Sequence, residues 1–163
     1  MTREQSLKEA LLLREENNYI ESNKILTQLA DGHPEDAYIQ YQCAWSYDAL
    51  GEEAKAVPHY EKALQGGLDA TDLENAYLGL GSTYRALGDY QKSKRVFVEA
   101  LNHFPGNHAL KSFYAMTLYN LGESHDAVQL LLKTLLATTT NDEIRKYKKT
   151  LAFYADHLDD KWS

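Results

Sequence analysis

Cysteine is nearly absent from the 163-residue chain: Cys43 stands alone, so no internal disulfide can form, which suits a reducing compartment. No apolar run approaches the ~18 residues that cross a bilayer, and the first apolar stretch, Leu11 to Leu13, is bracketed by Lys8, Arg14, Glu15 and Glu16. A signal-peptide core and a membrane span are therefore not expected, and the expected location is the cytoplasm. With 24 acidic against 17 basic residues the net charge is -7, which would repel a phosphate backbone and argues against nucleic acid as a partner. β-branched aliphatics are scarce as well, with four Ile and four Val against 24 Leu and 18 Ala. Such a chain is rich in helix formers and poor in sheet formers, so an all-α fold is expected.

What is present is a repeat. Ala49-Leu50-Gly51-Glu52, Ala86-Leu87-Gly88-Asp89 and Asn120-Leu121-Gly122-Glu123 share one pattern, with glycines 37 and then 34 residues apart. Asn17-Asn18-Tyr19 extends the series backward by 34. A second echo follows each glycine, in Tyr60-Glu61-Lys62-Ala63-Leu64, Phe97-Val98-Glu99-Ala100-Leu101 and Leu131-Leu132-Lys133-Thr134-Leu135. Pro34 and Pro105 punctuate two of the unit ends.

These residues resemble the tetratricopeptide repeat, a 34-residue helix-turn-helix unit. The resemblance implies a right-handed α-solenoid of four units, over residues 3–36, 37–73, 74–107 and 108–141, a capping helix over 142–158 and a tail over 159–163. Ala10, Ala44, Gly81 and Ala115 on the first helices and Ser22, Ala56, Ser93 and Ala127 on the second occupy the small positions that let paired helices approach. Leu13, Tyr47, Tyr84 and Leu118, with Leu26, Tyr60, Phe97 and Leu131, are expected to fill the space between them. The 37-residue spacing places three extra residues in the loop from Gln65 to Ala70, with Thr71 and Glu74 as a capping box beyond it. Pro58 is expected to kink a second helix, and Ser6 and Glu9 to leave the first helix prone to fraying. Thr140 and Glu143 suggest a cap for the final helix, with Ile144, Tyr147, Leu151 and Tyr154 on its apolar side and Arg145, Lys146, Lys148 and Lys149 toward water.

By the same resemblance, the first helix of each unit lines a concave wall. The stripe that faces it carries Glu4, Leu7, Leu11 and Arg14, then Tyr38, Tyr41, Trp45 and Asp48, then Asn75, Leu78, Ser82 and Arg85, and last Ala109, Ser112, Met116 and Tyr119. Its aromatics, with Phe113 beside them, would form a large apolar patch, and such patches mark binding sites. The expected ligand is a peptide or amphipathic helix, with Asp48, Asn75, Arg85 and Asn120 as hydrogen-bonding groups. Two alternatives stand beside it: a homodimer that uses the same surface, one copy covering the aromatics of the other, and a type III secretion translocator chaperone, since those are also small, acidic and built from such repeats around an apolar groove. The family members most resembled are small stand-alone bacterial repeat proteins. The Lys and Asn clamp that holds the acidic tails of heat-shock chaperones is missing, since its positions carry Leu7, Leu11, Gln42, Asn75 and Gly79, so those tails are not expected ligands. The six histidines form no HExxH pattern, and His103 and His108, flanking Pro105, read as exposed turn residues. Cys43 reads as a small core filler. No phosphate loop or nucleophile elbow is present, so neither an enzyme nor a cofactor or metal is expected.

Overall fold

A computed structural model describes all 163 residues, which form ten helices and no strand. The helices fall into two compact units, Met1–Asp89 and Tyr90–Ser163. The first holds α1 (Arg3–Glu15), α2 (Tyr19–Gly32), α3 (Ala37–Ala49), α4 (Glu53–Gln65) and α5 (Ala70–Ala86). The second holds α6 (Tyr90–His103), α7 (His108–Asn120), α8 (Ser124–Thr138), α9 (Asp142–Lys146) and α10 (Lys148–Ala155).

The repeated turn has a backbone reason. Asn17, Gly51, Gly88 and Gly122 all adopt a positive φ, between 64° and 81°. After each, the next amide donates to the carbonyl five residues back: Asn18 to Leu13, Glu52 to Tyr47, Asp89 to Tyr84 and Glu123 to Leu118, all within 2.8–3.0 Å. This is the Schellman closure, which satisfies carbonyls left over at a helix end and needs a left-handed residue to do so. Glycine enters that region freely and asparagine more readily than other side chains, so Asn17 can stand where the later turns have glycine.

In the first unit, Ala10, Leu26, Leu29, Ala30, Ile39 and Cys43 form a buried cluster, with Leu7, Ile25 and Tyr47 packed against it. Ser22 serves as a small contact residue because its hydroxyl donates to the Ala10 carbonyl at 2.7 Å, across the α1–α2 contact. Helix α1 is capped at its start, where Thr2 and Gln5 form a complete capping box, and Arg3 pairs with Asp36, the cap of α3. Helix α4 runs unbroken through Pro58. The extra residues after Gln65 belong in part to α5, which begins at Ala70 because the Asp69 carboxylate accepts the Asp72 amide at 2.8 Å. The cap expected at Thr71 therefore sits two residues earlier, and the loop is confined to Gly66–Asp69.

In the second unit, α6, α7 and α8 close on Phe97, Ala100, Leu110, Ala115 and Leu118. The Ser93 and Thr117 hydroxyls meet at 2.8 Å in its interior, and Lys94 bridges from α6 to Glu123 at 2.9 Å. The cap of the terminal segment is Asn141 rather than Thr140, and the helix expected over 142–158 is divided at Tyr147 into α9 and α10. That break turns the chain so that Ala155 takes the buried position, leaving Tyr147 and Tyr154 55% and 46% exposed instead of core. Helix α10 lies along one row of α8, where Gln129 and Lys133 reach Asp156 at 2.9 and 2.8 Å and His125 reaches Asp159 at 2.6 Å. The neighbouring row of α8, Val128, Leu131 and Leu135, is left exposed. Leu131 is thus not the core residue its repeat position implies. The tail is held too, since Trp162 packs against Phe153 and Tyr154 with ring centroids 6.1 and 5.8 Å apart.

Candidate functional site

The inner stripe of the first unit comes from α1, α3 and α5, and between them lie three recesses. The first, about 350 Å³, is walled by Leu7, Leu11 and Leu12 of α1 and by Tyr38 of α3. The second, about 250 Å³, lies between Leu11, Arg14 and Glu15 of α1, Tyr19 of α2, and Gln42 and Trp45 of α3. The third, about 400 Å³, is lined by Tyr41, Trp45 and Asp48 of α3, Tyr60 of α4, and Asn75, Leu78 and Gly79 of α5. Leu11 belongs to the first and second, and Trp45 to the second and third, so the recesses adjoin in a row.

Five of the expected residues meet in the third recess, namely Tyr41, Trp45, Asp48, Asn75 and Leu78, and Tyr38 lies in the first. Trp45 is 46% exposed, large for an indole. Tyr41 is half-buried against the Tyr60 ring, with centroids 6.5 Å apart. Arg85 is half-buried near the end of α5. The remaining expected residues belong to α7 in the second unit: Met116 and Tyr119 are exposed, Phe113 and Asn120 half-buried.

Asp48 has a different employment from the one its sequence position suggests. One of its oxygens accepts the Tyr60 hydroxyl at 2.6 Å, and both receive the Thr83 hydroxyl at 3.0 and 3.1 Å. One carboxylate thus ties α3 to α4 and α5. Burial raises its pKa above the usual carboxylate range, although the two hydroxyl bonds pull the other way. The native state therefore takes up this proton more readily than the unfolded chain. The associated stability is fully present below the unfolded value and is lost as pH rises through the folded one. Asp48→Asn keeps an acceptor for Tyr60 and removes the charge. Its melting temperature should gain on the native protein as pH goes from the acid side of that range to neutrality, and a pH-independent gap would contradict this.

Arg14 is the inner-stripe residue that the aromatic pattern does not single out. It is 5% exposed, its guanidinium carbon lies 3.5 Å from the centre of the Trp45 ring, and its Nη2 donates to Gln42 Oε1 at 2.5 Å. A stacked guanidinium of this kind gains from the ring's negative face.

A family model described as Tetratrico peptide repeat matches residues 37–158. The chain belongs to the tetratricopeptide repeat family. Superkiller protein 3 of Saccharomyces cerevisiae is 24% identical over 135 residues, a match covering 78% of this chain but only 9% of the yeast protein. Among solved structures, MamA MSR-1 C2 superposes with a TM-score of 0.73 at 16% identity, covering 90% of this chain and 78% of that one. A MamA mutant gives 0.71 at 16% identity, covering 82% and 76%. These likenesses establish the helical-repeat fold. Tetratricopeptide repeats serve in general as protein-interaction modules without catalysis of their own, and no helix here is long and apolar enough to cross a membrane.

Proposed function

We propose that this tetratricopeptide protein is a non-catalytic interaction scaffold that holds a peptide, extended or helical, along the α1–α3–α5 face of the unit Met1–Asp89. The observation that carries this reading is the row of adjoining recesses with Tyr38, Trp45 and Tyr41 spaced along it. Each recess suits one or two side chains, and rigid aromatic walls give large contact area at little cost in rotamer freedom. A ligand whose side chains point into successive recesses gains specificity from their order.

Peptide-array binding tests it. Trp45→Ala and Tyr41→Ala should each weaken the captured peptides by about 30-fold or more, as loss of a hot-spot aromatic does, with unchanged helical circular dichroism. Undiminished capture would refute the groove, and unfolding of both variants would make these residues core instead. Sedimentation equilibrium on the same samples separates peptide binding from self-association, because a dimer that covers Trp45 would lose its mass and its capture-blocking effect together on dilution. No residue of the site favours the translocator-chaperone reading over a general peptide scaffold.

A further inference from the structure

The middle recess contains a buried cation that no carboxylate pairs: Glu15 also lines the recess, but it is exposed, and no hydrogen bond or ion pair joins it to Arg14. Arg14 is nineteen-twentieths buried, yet its Nε and Nη1 have no hydrogen-bond acceptor, and its one polar partner is the neutral Gln42. Burying a guanidinium without a carboxylate is costly, and most such groups are paired. Here burial already draws the pKa of Arg14 down to about 10 while leaving it charged at neutral pH. Trp45 covers one face of the cation and is itself nearly half exposed, so a rotation of the indole would open the recess.

We infer that Arg14, under Trp45, is the anchoring subsite for an acidic side chain, Asp or Glu, of the bound peptide. A carboxylate oxygen can accept from the guanidinium's unpartnered Nε or Nη1 and brings the missing negative charge, and the apolar walls from Leu11 and Trp45 strengthen the pairing by keeping water out. The position of the recess decides between a side-chain and a terminal carboxylate. It lies between two others and shares Leu11 with one and Trp45 with the other, so a ligand that fills the row continues on both sides. A chain end would leave one neighbour empty. This inference rests on the groove reading for the peptidic nature of the ligand.

Trp162→Phe leaves Trp45 as the sole tryptophan, and its fluorescence is followed as N-acetyl-glutamate N-methylamide is added at constant ionic strength. The expected result is a saturable change in the millimolar range, at least about tenfold weaker for the neutral glutamine counterpart. The melting temperature should rise with the glutamate probe and not with the other. Arg14→Met should abolish the response, and Arg14→Lys should weaken it while retaining the charge. Equal binding of the glutamate and glutamine probes, or a response that survives in Arg14→Met, would overturn the proposal. So would tighter binding of N-acetyl-leucine, which offers a terminal carboxylate instead. The comparison of probes needs no variant at Arg14, so poor folding of Arg14→Met would not shield the idea. Array peptides that depend on Tyr41 but do not distinguish Glu from Gln would sink this subsite and leave the groove. A saturating glutamate probe together with capture indifferent to Tyr41→Ala would do the reverse.

Discussion

Phe97→Ala should destabilise the protein by ~3–5 kcal/mol, the cost of emptying an aromatic site in a packed interior. Leu131→Ala, at the same repeat position one unit later, should cost less than ~1 kcal/mol. The contrast follows from surroundings, not from side-chain chemistry. Phe97 is fully buried on α6, with the Tyr114 ring of α7 at 6.1 Å and Ser93 and Ala100 one turn away on the same face. Neighbouring side chains held in helices cannot close the space an alanine would leave. Leu131 is 45% exposed because α10 lies along the adjacent row of α8, through Gln129 and Lys133. Denaturant titration of the two variants checks this, with Val98→Ala as a register control, since Val98 follows Phe97 but is 42% exposed. Equal losses for Phe97 and Leu131 would mean that the fourth unit is sealed in a way this arrangement does not provide.

The same pair of residues marks how far the sequence could be read. Repeat arithmetic locates the turns because one backbone conformation recurs and glycine or asparagine supplies it, so Asn17, Gly51, Gly88 and Gly122 are visible without coordinates. It also identifies the small contact positions, all of which are buried, Cys43 among the core residues beside them. It does less well wherever an end decides the outcome. Thr71 and Thr140 both lose the cap to a neighbour, Asp69 and Asn141, because several capping side chains lie within a few residues and sequence spacing alone does not choose between them. Tyr147 and Tyr154 have helical spacing with Ile144 and Leu151, but the break at Tyr147 destroys the common face that spacing presumes.

At the candidate site, the aromatics were legible because large apolar groups on an inner stripe are conspicuous. The polar residues were not. Asp48 looks like a ligand-binding group until its oxygens are seen to be taken up by Tyr60 and Thr83, which are 12 and 35 residues away. Arg14 looks like an ordinary charged residue of an amphipathic helix. Its significance depends on what fails to pair with it, and an absence of partners in space leaves no trace in a one-dimensional pattern. The available signal was indirect: a lone cation on a stripe whose next helix carries Trp45.

Gly79→Ala should destabilise the protein by ~2 kcal/mol or more, against the helix preference for alanine, which alone would stabilise by ~1 kcal/mol. A Cβ on Gly79 would stand 2.5 Å from the Tyr60 hydroxyl, with ring carbons at 2.6 and 2.7 Å. Tyr60 cannot retreat easily, because it is 1% exposed and its hydroxyl is held by Asp48. Moving the ring would loosen the bond to a half-buried carboxylate, so the steric cost and the electrostatic one arrive together. The decisive comparison is a double-mutant cycle with Tyr60→Leu, which removes the three nearest atoms that a Cβ on Gly79 would otherwise meet. In that background Gly79→Ala should become neutral or mildly stabilising, since its three closest clashes are gone and the helix preference favours alanine. A loss that persists undiminished in the Tyr60→Leu background would show that Gly79 is needed for something other than the Tyr60 ring. Reversal of sign would establish that this glycine is the opening through which Tyr60 reaches Asp48, and so a determinant of the third recess itself.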